Sequence, residues 1–256
     1  MKRLRRVTEA EVIAEFLKNE FYQEEFHLDR ERFEQLVLNA QISDEAENAL
    51  RRALLFRRRG HMWRELPTDM QWWEVRIEPP DLQRVRVFPR AQWRRVANGS
   101  FLLKDIVKRI KTKAFRGKTR DFIAKVQALS YQLRNRQDGS AVLLIGIDDQ
   151  SPVTVLEGNH RLTAALLASP EVLQRCFRVF CGFSPAMVRS CWYQTNVANL
   201  WRYGRNRLRN LLYDPDADIE RLMKPAPVSA PAKTEPTLTT IATAEPLAKF
   251  EINGPG

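Results

Sequence analysis

Residues 153–165 read Val153-Thr-Val-Leu-Glu-Gly-Asn-His-Arg-Leu-Thr-Ala-Ala165, and this stretch decides the predicted fold. It predicts a strand that runs into a tight turn at Gly158 and continues at once as a helix. The start of a helix presents backbone N–H groups without acceptors and the positive end of the helix dipole, so it favours an anion. Asn159 is a preferred helix cap, and His160 and Arg161 follow it directly. Because arginine can bind phosphate through two parallel hydrogen bonds, this turn is predicted to bind phosphate.

The residues around this turn predict a small sheet with helices. The predicted strands lie at residues 72–77, 84–88, 141–147, 153–156 and 177–180. The predicted helices lie at residues 100–111, 119–135, 159–169 and 187–212. Pro79-Pro80 ends the first strand, and Asp138-Gly139 marks a turn before the third. The loop 148–152 joins the third and fourth strands as a hairpin.

The first 60 residues have a different character and predict helices. Thr8 with Glu11 forms a capping box ahead of apolar residues at helical spacing. Two further helices are predicted at residues 29–38 and 43–59, the last ending at Gly60. The chain is therefore predicted to be α+β, with a small mixed β-sheet and packed helices.

Changes in composition divide the chain into four segments. The predicted divisions are a helical N-terminal subdomain at 1–66, the sheet-containing domain at 67–183, a helical region at 184–224 and a tail at 225–256. The tail turns to Pro, Ala and Thr, a composition that predicts disorder.

The segment GNHRLTAA, which begins at Gly158, resembles the Gly-x-His-Arg or Gly-x-Arg-Arg box of the ParB/sulfiredoxin superfamily. In that superfamily the box binds nucleotide phosphates at the start of a helix. The order of the preceding elements agrees, and Val75-Arg-Ile-Glu-Pro-Pro-Asp-Leu82 is similar to the family's opening strand. The resemblance covers roughly residues 72–182, and the box is its specific part.

The chain departs from two members of that family. Sulfiredoxin-like proteins carry a catalytic cysteine where this chain has Asn159, so the resemblance does not imply sulfinic-acid repair. ParB itself has arginine where this chain has His160, and a helix-turn-helix domain follows it. The His-Arg form is closer to the family's small ATP-using kinases.

The resemblance implies a nucleotide-binding protein, with ATP or CTP as the ligand and Mg²⁺ as its helper. Gly158 and Asn159 would contact the phosphates, and His160 and Arg161 would neutralise them. Hydrolysis or phosphate transfer would also require a carboxylate, for which Glu157 and Glu78 are the positional candidates.

Nearly all of the net charge of +11 sits in one central block. Between Arg84 and Arg120 the sequence has thirteen Lys or Arg residues and a single acid, Asp105. This block motivates a second hypothesis, a DNA-binding protein or nuclease. Its candidate contact residues are Arg94, Arg95, Lys108, Arg109, Lys111, Lys113, Arg116 and Lys118. A third hypothesis is a non-enzymatic interaction module in which the box only shapes the fold.

The composition of the chain bears on its cellular location and on whether it binds a membrane or a metal. No stretch approaches the roughly 20 apolar residues that span a bilayer, and no apolar region follows the basic start, so neither a membrane partner nor a secretory signal is predicted. The three cysteines and three histidines fit no usual metal-site spacing, so a metal site is not predicted. The expected setting is a bacterial-type cytoplasm. The cysteines are Cys176, Cys181 and Cys191, and the histidines are His27, His61 and His160.

Overall fold

A computed structural model describes residues 1–89, 91–135, 139–212 and 214–224. In these residues, six strands form one mixed sheet. The strands are β1 (Lys2–Val7), β2 (Gln71–Arg76), β3 (Val85–Arg86), β4 (Ala141–Gly146), β5 (Val153–Glu157) and β6 (Arg178–Phe183). Their order across the sheet is β1-β2-β6-β4-β5-β3. The pairs β4/β6 and β3/β5 are parallel, and the other neighbours are antiparallel. The predicted α+β class is confirmed.

Ten α-helices accompany the sheet in the described part of the chain. They are α1 (Glu9–Glu20), α2 (Arg30–Leu38), α3 (Glu45–Trp63), α4 (Ala91–Ala97), α5 (Leu103–Thr112), α6 (Gly117–Asn135), α7 (Asn159–Ala168), α8 (Pro170–Cys176), α9 (Val197–Leu211) and α10 (Ile219–Met223). Short 3-10 helices lie at Glu24–Asp29, Pro79–Gln83, Pro185–Arg189 and Pro215–Ala217. None of the helices described is long and apolar enough to cross a membrane.

The sheet has a hydrophobic core on each face because its central strands are apolar on both sides. In β4, Val142 and Leu144 face the core that also contains residues of α4–α8. The alternate residues Leu143 and Ile145 face a second core, built with α1–α3. This double burial explains the continuous apolar run of β4. The helices of residues 1–66 thus cover one face of the sheet, within a single compact unit, Met1–Met223.

The edge strand β1 is a finding that the residue pattern does not predict. The pattern of the first 60 residues predicts helices, but residues 2–7 form a strand that pairs with β2. Within β1 only Val7 is buried, so the strand lacks an apolar alternation that would mark it. Its Lys and Arg side chains suit an exposed sheet edge. The capping box at Thr8 and Glu11 is confirmed, with both hydrogen bonds present.

Two other boundaries differ from the prediction. The expected helix 187–212 is a 3-10 helix, Pro185–Arg189, followed by α9 from Val197, where Asn196 provides the helix cap. The third N-terminal helix does not end at Gly60 but continues to Trp63, and Gly60 is a buried residue within it. The predicted tail 225–256 and Asp138 of the predicted turn lie outside the described residues.

Candidate functional site

The junction between β5 and α7 has the predicted form of a strand, a glycine turn and a helix. Gly158 adopts φ +93°, a left-handed conformation that side chains other than glycine rarely take. A Cβ atom at this position would also lie 3.0 Å from Cγ2 of Val142 in β4. Gly158 is therefore required both by the turn and by the close approach of β4.

Asn159 has a different role from the predicted one. Gly158 occupies the cap position, and Asn159 is the first residue of α7. The buried Asn159 side chain accepts a hydrogen bond through Oδ1 from the backbone N–H of Phe88, at 3.1 Å. It thereby attaches the segment after β3 to the start of α7.

Arg161 turns into the protein and makes a network with β4 and β5. Its guanidinium donates hydrogen bonds to the carboxylate of Glu157 and to Oγ of Ser140. It also donates to the backbone oxygen of Ala141 at 3.1 Å and to Oδ1 of Asn19 at 3.3 Å. Arg161 therefore links the first turn of α7 to the start of β4 and to α1.

Glu157 is the buried partner of Arg161 and has an unusual proton affinity. Burial raises the pKa of Glu157 to about 7, although the charge of Arg161 acts in the opposite direction. Nδ2 of Asn19 donates to the same carboxylate at 3.1 Å. A carboxyl group with a pKa near 7 can exchange a proton at neutral pH, which is the property required of a general acid or base.

A cavity of about 230 Å³ opens at the N-terminus of α7. We call it the α7 cavity, and its lining comes from α1, α3, α4, β5, α7 and the segment that follows α1. The lining residues are Phe16, Glu20, Gln23, Glu25, Arg59, Gln92, Trp93, Leu156, Glu157, Gly158, Asn159 and His160. The structure thus brings Glu157, Gly158, Asn159 and His160 together at one cavity, whereas Arg161 does not line it.

The cation of the α7 cavity that sequence reasoning missed is Arg59 of α3. Its guanidinium contacts Glu20 at 2.9 Å and Glu25 at 3.0 Å. It lies nearly 100 residues before the box in the chain, within an arginine run of an amphipathic helix. No local motif distinguishes this arginine from its neighbours, so only the packing of α3 on the sheet identifies it.

His160 stands at the mouth of the cavity beside two aromatic rings. Its ring centroid lies 5.4 Å from that of Trp93 and 5.2 Å from that of Phe122. Trp93 is almost fully buried. These rings pack against the imidazole of His160, which is nevertheless exposed to solvent.

A second cavity, of about 400 Å³, shares Glu25 and Arg59 with the α7 cavity. We call it the aromatic cavity. Its other lining residues are His61, Met62, Phe88, Pro89, Arg94, Cys191, Trp192, Thr195, Leu200 and Tyr203. The rings of Phe88 and Trp192 lie 4.2 Å apart between centroids. A polar cavity and an aromatic cavity therefore meet at one ion pair.

Glu78, the other carboxylate candidate, lies away from both cavities. It precedes the 3-10 helix Pro79–Gln83, and its backbone N–H donates to Oδ2 of Asp81 at 2.9 Å. Glu78 lines neither the α7 cavity nor the aromatic cavity. Its role in this structure is to begin that short helix.

The basic block forms an exposed surface of α4, α5 and the start of α6. The apolar residues of α5 face the core, which leaves its lysines outside. Arg94 and Arg109 are partly used internally, because each donates to a backbone oxygen at 2.8 Å. The other six candidates are exposed, and none forms a salt bridge with a residue that the structure describes. They are Arg95, Lys108, Lys111, Lys113, Arg116 and Lys118.

No cluster of three or more His, Cys, Asp or Glu side chains is placed to hold a metal ion among the described residues. No protein-family model matches the chain, and neither a curated protein nor a solved structure matches it. The function is therefore argued from the geometry of these cavities and surfaces.

Proposed function

We propose that this chain is a nucleotide-binding domain of the ParB/sulfiredoxin type, which takes ATP or CTP across the α7 cavity and the aromatic cavity. The observation that carries the proposal is the shared wall of the two cavities at Arg59 and Glu25. A nucleotide has a charged end and a flat apolar end, so it needs two such adjoining compartments.

The phosphates would occupy the α7 cavity. The first three residues of α7 are Asn159, His160 and Arg161, whose backbone N–H groups precede the intrahelical hydrogen-bond pattern. Together with the helix dipole they favour an anion at this end. His160 and Arg59 would supply side-chain donors, while Arg161 would support the turn from behind.

The base would occupy the aromatic cavity. Phe88, Trp192 and Tyr203 provide flat faces, and aromatic rings stack favourably on one another in offset or edge arrangements. Asn159 joins the two compartments, because its hydrogen bond to Phe88 connects the first turn of α7 to the wall of the aromatic cavity.

Glu157 is the proposed general base if the bound nucleotide is hydrolysed or its phosphate transferred. Its carboxyl group lines the α7 cavity and has a pKa of about 7. Mg²⁺ in phosphate sites is usually held by one or two carboxylates together with the phosphates. Glu20 and Glu25 line the same cavity and would hold the ion in place of their ion pairs with Arg59, which would then contact the phosphates.

A thermal-shift screen with ATP, CTP, GTP and ADP, each with and without Mg²⁺, tests the proposal. At about 100 times its dissociation constant, a ligand adds roughly 2.7 kcal/mol to the free energy of unfolding. His160→Ala is expected to weaken binding about tenfold, since a hydrogen bond to a charged group contributes about 1.5–3 kcal/mol. The matched control is His27→Ala, an exposed histidine that lines neither cavity. Absence of a shift with every nucleotide would refute the proposal.

The basic surface supports a second candidate function, the binding of DNA. Its exposed lysines form no salt bridge with described residues, and such charges release counterions when they neutralise phosphates. Binding of this kind weakens steeply as salt increases.

Lys108→Glu/Lys111→Glu is expected to lower the affinity for a labelled DNA duplex at least tenfold. The slope of log affinity against log salt should become shallower by about two, near one for each lost phosphate contact. Fluorescence anisotropy over a salt series measures both quantities. The control Lys2→Glu/Lys18→Glu makes the same charge change at exposed lysines of β1 and α1. Equal losses in the two variants would show that only net charge matters. Absence of both nucleotide and DNA affinity would favour the interaction module.

A further inference from the structure

Helix α9 faces the protein with its polar side. The buried amide of Asn199 donates to the backbone oxygens of Val188, at 3.0 Å, and Gln194, at 2.7 Å. About two turns further along the same face, Nδ2 of the buried Asn206 donates a hydrogen bond to Oε1 of Glu65 at 2.7 Å. These hydrogen bonds anchor the helix through groups that a surface helix normally turns to solvent.

The opposite side of α9 carries a stripe of exposed apolar residues. Their exposed fractions are 85% for Val197, 49% for Leu200, 78% for Trp201, 60% for Leu208, 77% for Leu211 and 66% for Leu212. Val197, Trp201, Gly204, Leu208 and Leu211 follow the alternating spacing of four and three residues that is typical of helices that pair. An apolar stripe of this extent on a protein surface marks an interaction site.

Gly204 lies in the middle of the stripe and has no explanation within one chain. A Cβ atom there would meet nothing within 4 Å, and glycine is disfavoured in a helix interior. It is also the midpoint of α9, with seven residues of the helix on either side. A small residue at that point allows the backbone of another helix to approach closely.

We propose that the outward face of α9 is a homodimer interface, in which α9 of a second copy crosses antiparallel with the two-fold axis at Gly204. That axis places Val197 opposite Leu211 of the second copy and Leu200 opposite its Leu208. The same residues therefore serve both chains, as a two-fold interface requires. A standard interface covers roughly 800 Å² per partner. The six exposed apolar side chains would form the centre of the proposed one.

The charged residues beside the stripe are all basic, so they repel one another across the proposed interface. Helix α9 has no acidic residue, and Arg205 would lie on the same flank as Trp201 of the second copy, where a guanidinium can lie on an indole face. Arg205 would lie near its own counterpart across the axis. Because salt screens repulsion between exposed like charges, the dimer is expected to strengthen as salt increases.

Sedimentation of the full chain over about two decades of concentration tests the proposal, since a dimer depends on protomer concentration. We expect a monomer–dimer equilibrium that Leu208→Glu weakens at least tenfold. Leu208 is exposed, so circular dichroism should show an intact fold. The matched control is Leu28→Glu, an exposed leucine of the 3-10 helix Glu24–Asp29, which should leave the equilibrium unchanged.

Introduced cysteines test the antiparallel register. On the proposed axis, Gly204→Cys places two thiols within disulfide distance, whereas two copies of Leu211→Cys stand about 21 Å apart along the helices. The native cysteines are buried, and burial raises the pKa of Cys191 to about 12, so they will not compete for oxidation. Cross-linking of Gly204→Cys alone supports the antiparallel dimer, and cross-linking of both variants overturns it.

A chain that stays monomeric at every concentration overturns the proposal. Vesicles that contain phosphatidylserine then identify the other occupant suited to a basic amphipathic helix. If the monomer sediments with these vesicles and Trp201→Ser abolishes that binding, the stripe serves a lipid surface and not a second copy.

Discussion

Arg161→Met is expected to lower the free energy of unfolding by about 3–5 kcal/mol at pH 8, the usual cost of removing one partner of a buried ion pair. The substitution removes hydrogen bonds to Glu157, Ser140 and Ala141, together with the cation that lowers the pKa of Glu157. At pH 8 the Glu157 carboxyl group must then either take up a proton or stay charged without a partner. Equilibrium unfolding in urea, followed by circular dichroism, measures the loss.

The double variant Glu157→Gln/Arg161→Met separates the ion pair from the other contacts. Because the double variant buries no uncompensated charge, it should recover much of the stability that Arg161→Met loses. If the effects of the two single substitutions simply add, Glu157 and Arg161 are not energetically coupled. Arg161→Lys, which keeps the charge but not the planar fork, should give an intermediate loss.

The structural role of Arg161 makes its substitution a poor test of nucleotide binding. On the residue pattern alone, loss of nucleotide binding in Arg161→Ala would indicate loss of a phosphate ligand. In the folded chain Arg161 supports the turn from its inner side, so the same loss would follow from local unfolding. His160, which lines the α7 cavity and is exposed, gives the more specific test of binding.

The free energy of unfolding of Glu157→Gln, minus that of wild type, is expected to increase by about 3 kcal/mol between pH 4 and pH 8.5. The pKa of Glu157 is about 7 in the folded protein, above its ordinary value of 4.5, chiefly because of burial. The folded state therefore holds a proton that the unfolded chain releases between these two values. The stability from this proton is fully present below about pH 4.5 and is lost as the pH rises through 7, whereas glutamine is unaffected.

Urea unfolding of wild type and variant at a series of pH values measures this difference. The contributions of the other titrating groups are the same in both proteins and cancel. Glu11→Gln is a control of opposite sign. Burial acts to raise the pKa of Glu11, but hydrogen bonds from the Thr8 N–H and Arg5 lower it overall. Glu11→Gln should therefore lose stability relative to wild type as the pH rises. A difference for Glu157→Gln that does not change with pH would show that its carboxyl group is not perturbed.

Much of the local structure could be predicted because it depends on neighbouring residues. The turn at Gly158 follows from an apolar strand pattern, a glycine and a helix-forming run within 13 residues. The capping box at Thr8 and the hairpin between β4 and β5 are equally local. Strand β1 could not be found in this way, because an edge strand with exposed basic residues lacks apolar alternation.

The candidate site could be predicted only in part. Gly158, Asn159 and His160 of the box all line the α7 cavity, whereas their predicted binding of phosphate stays a prediction. The direction of Arg161 depends on Ser140 and Asn19, and the cavity cation Arg59 comes from a helix that precedes the sheet. Such contacts between residues distant in the chain have no signature in local spacing.

The α+β class, the glycine turn into α7 and the concentration of positive charge in residues 84–120 follow from the residue pattern, because they depend on side-chain periodicity, backbone freedom and composition. Only the folded chain shows that Arg161 faces inward, that Arg59 and Glu25 line two adjoining cavities, and that α9 turns its apolar side outward. The physical reason is that a side chain's environment is set by whichever elements pack against it. An amphipathic helix such as α9 has the same residue pattern whichever face the rest of the fold covers.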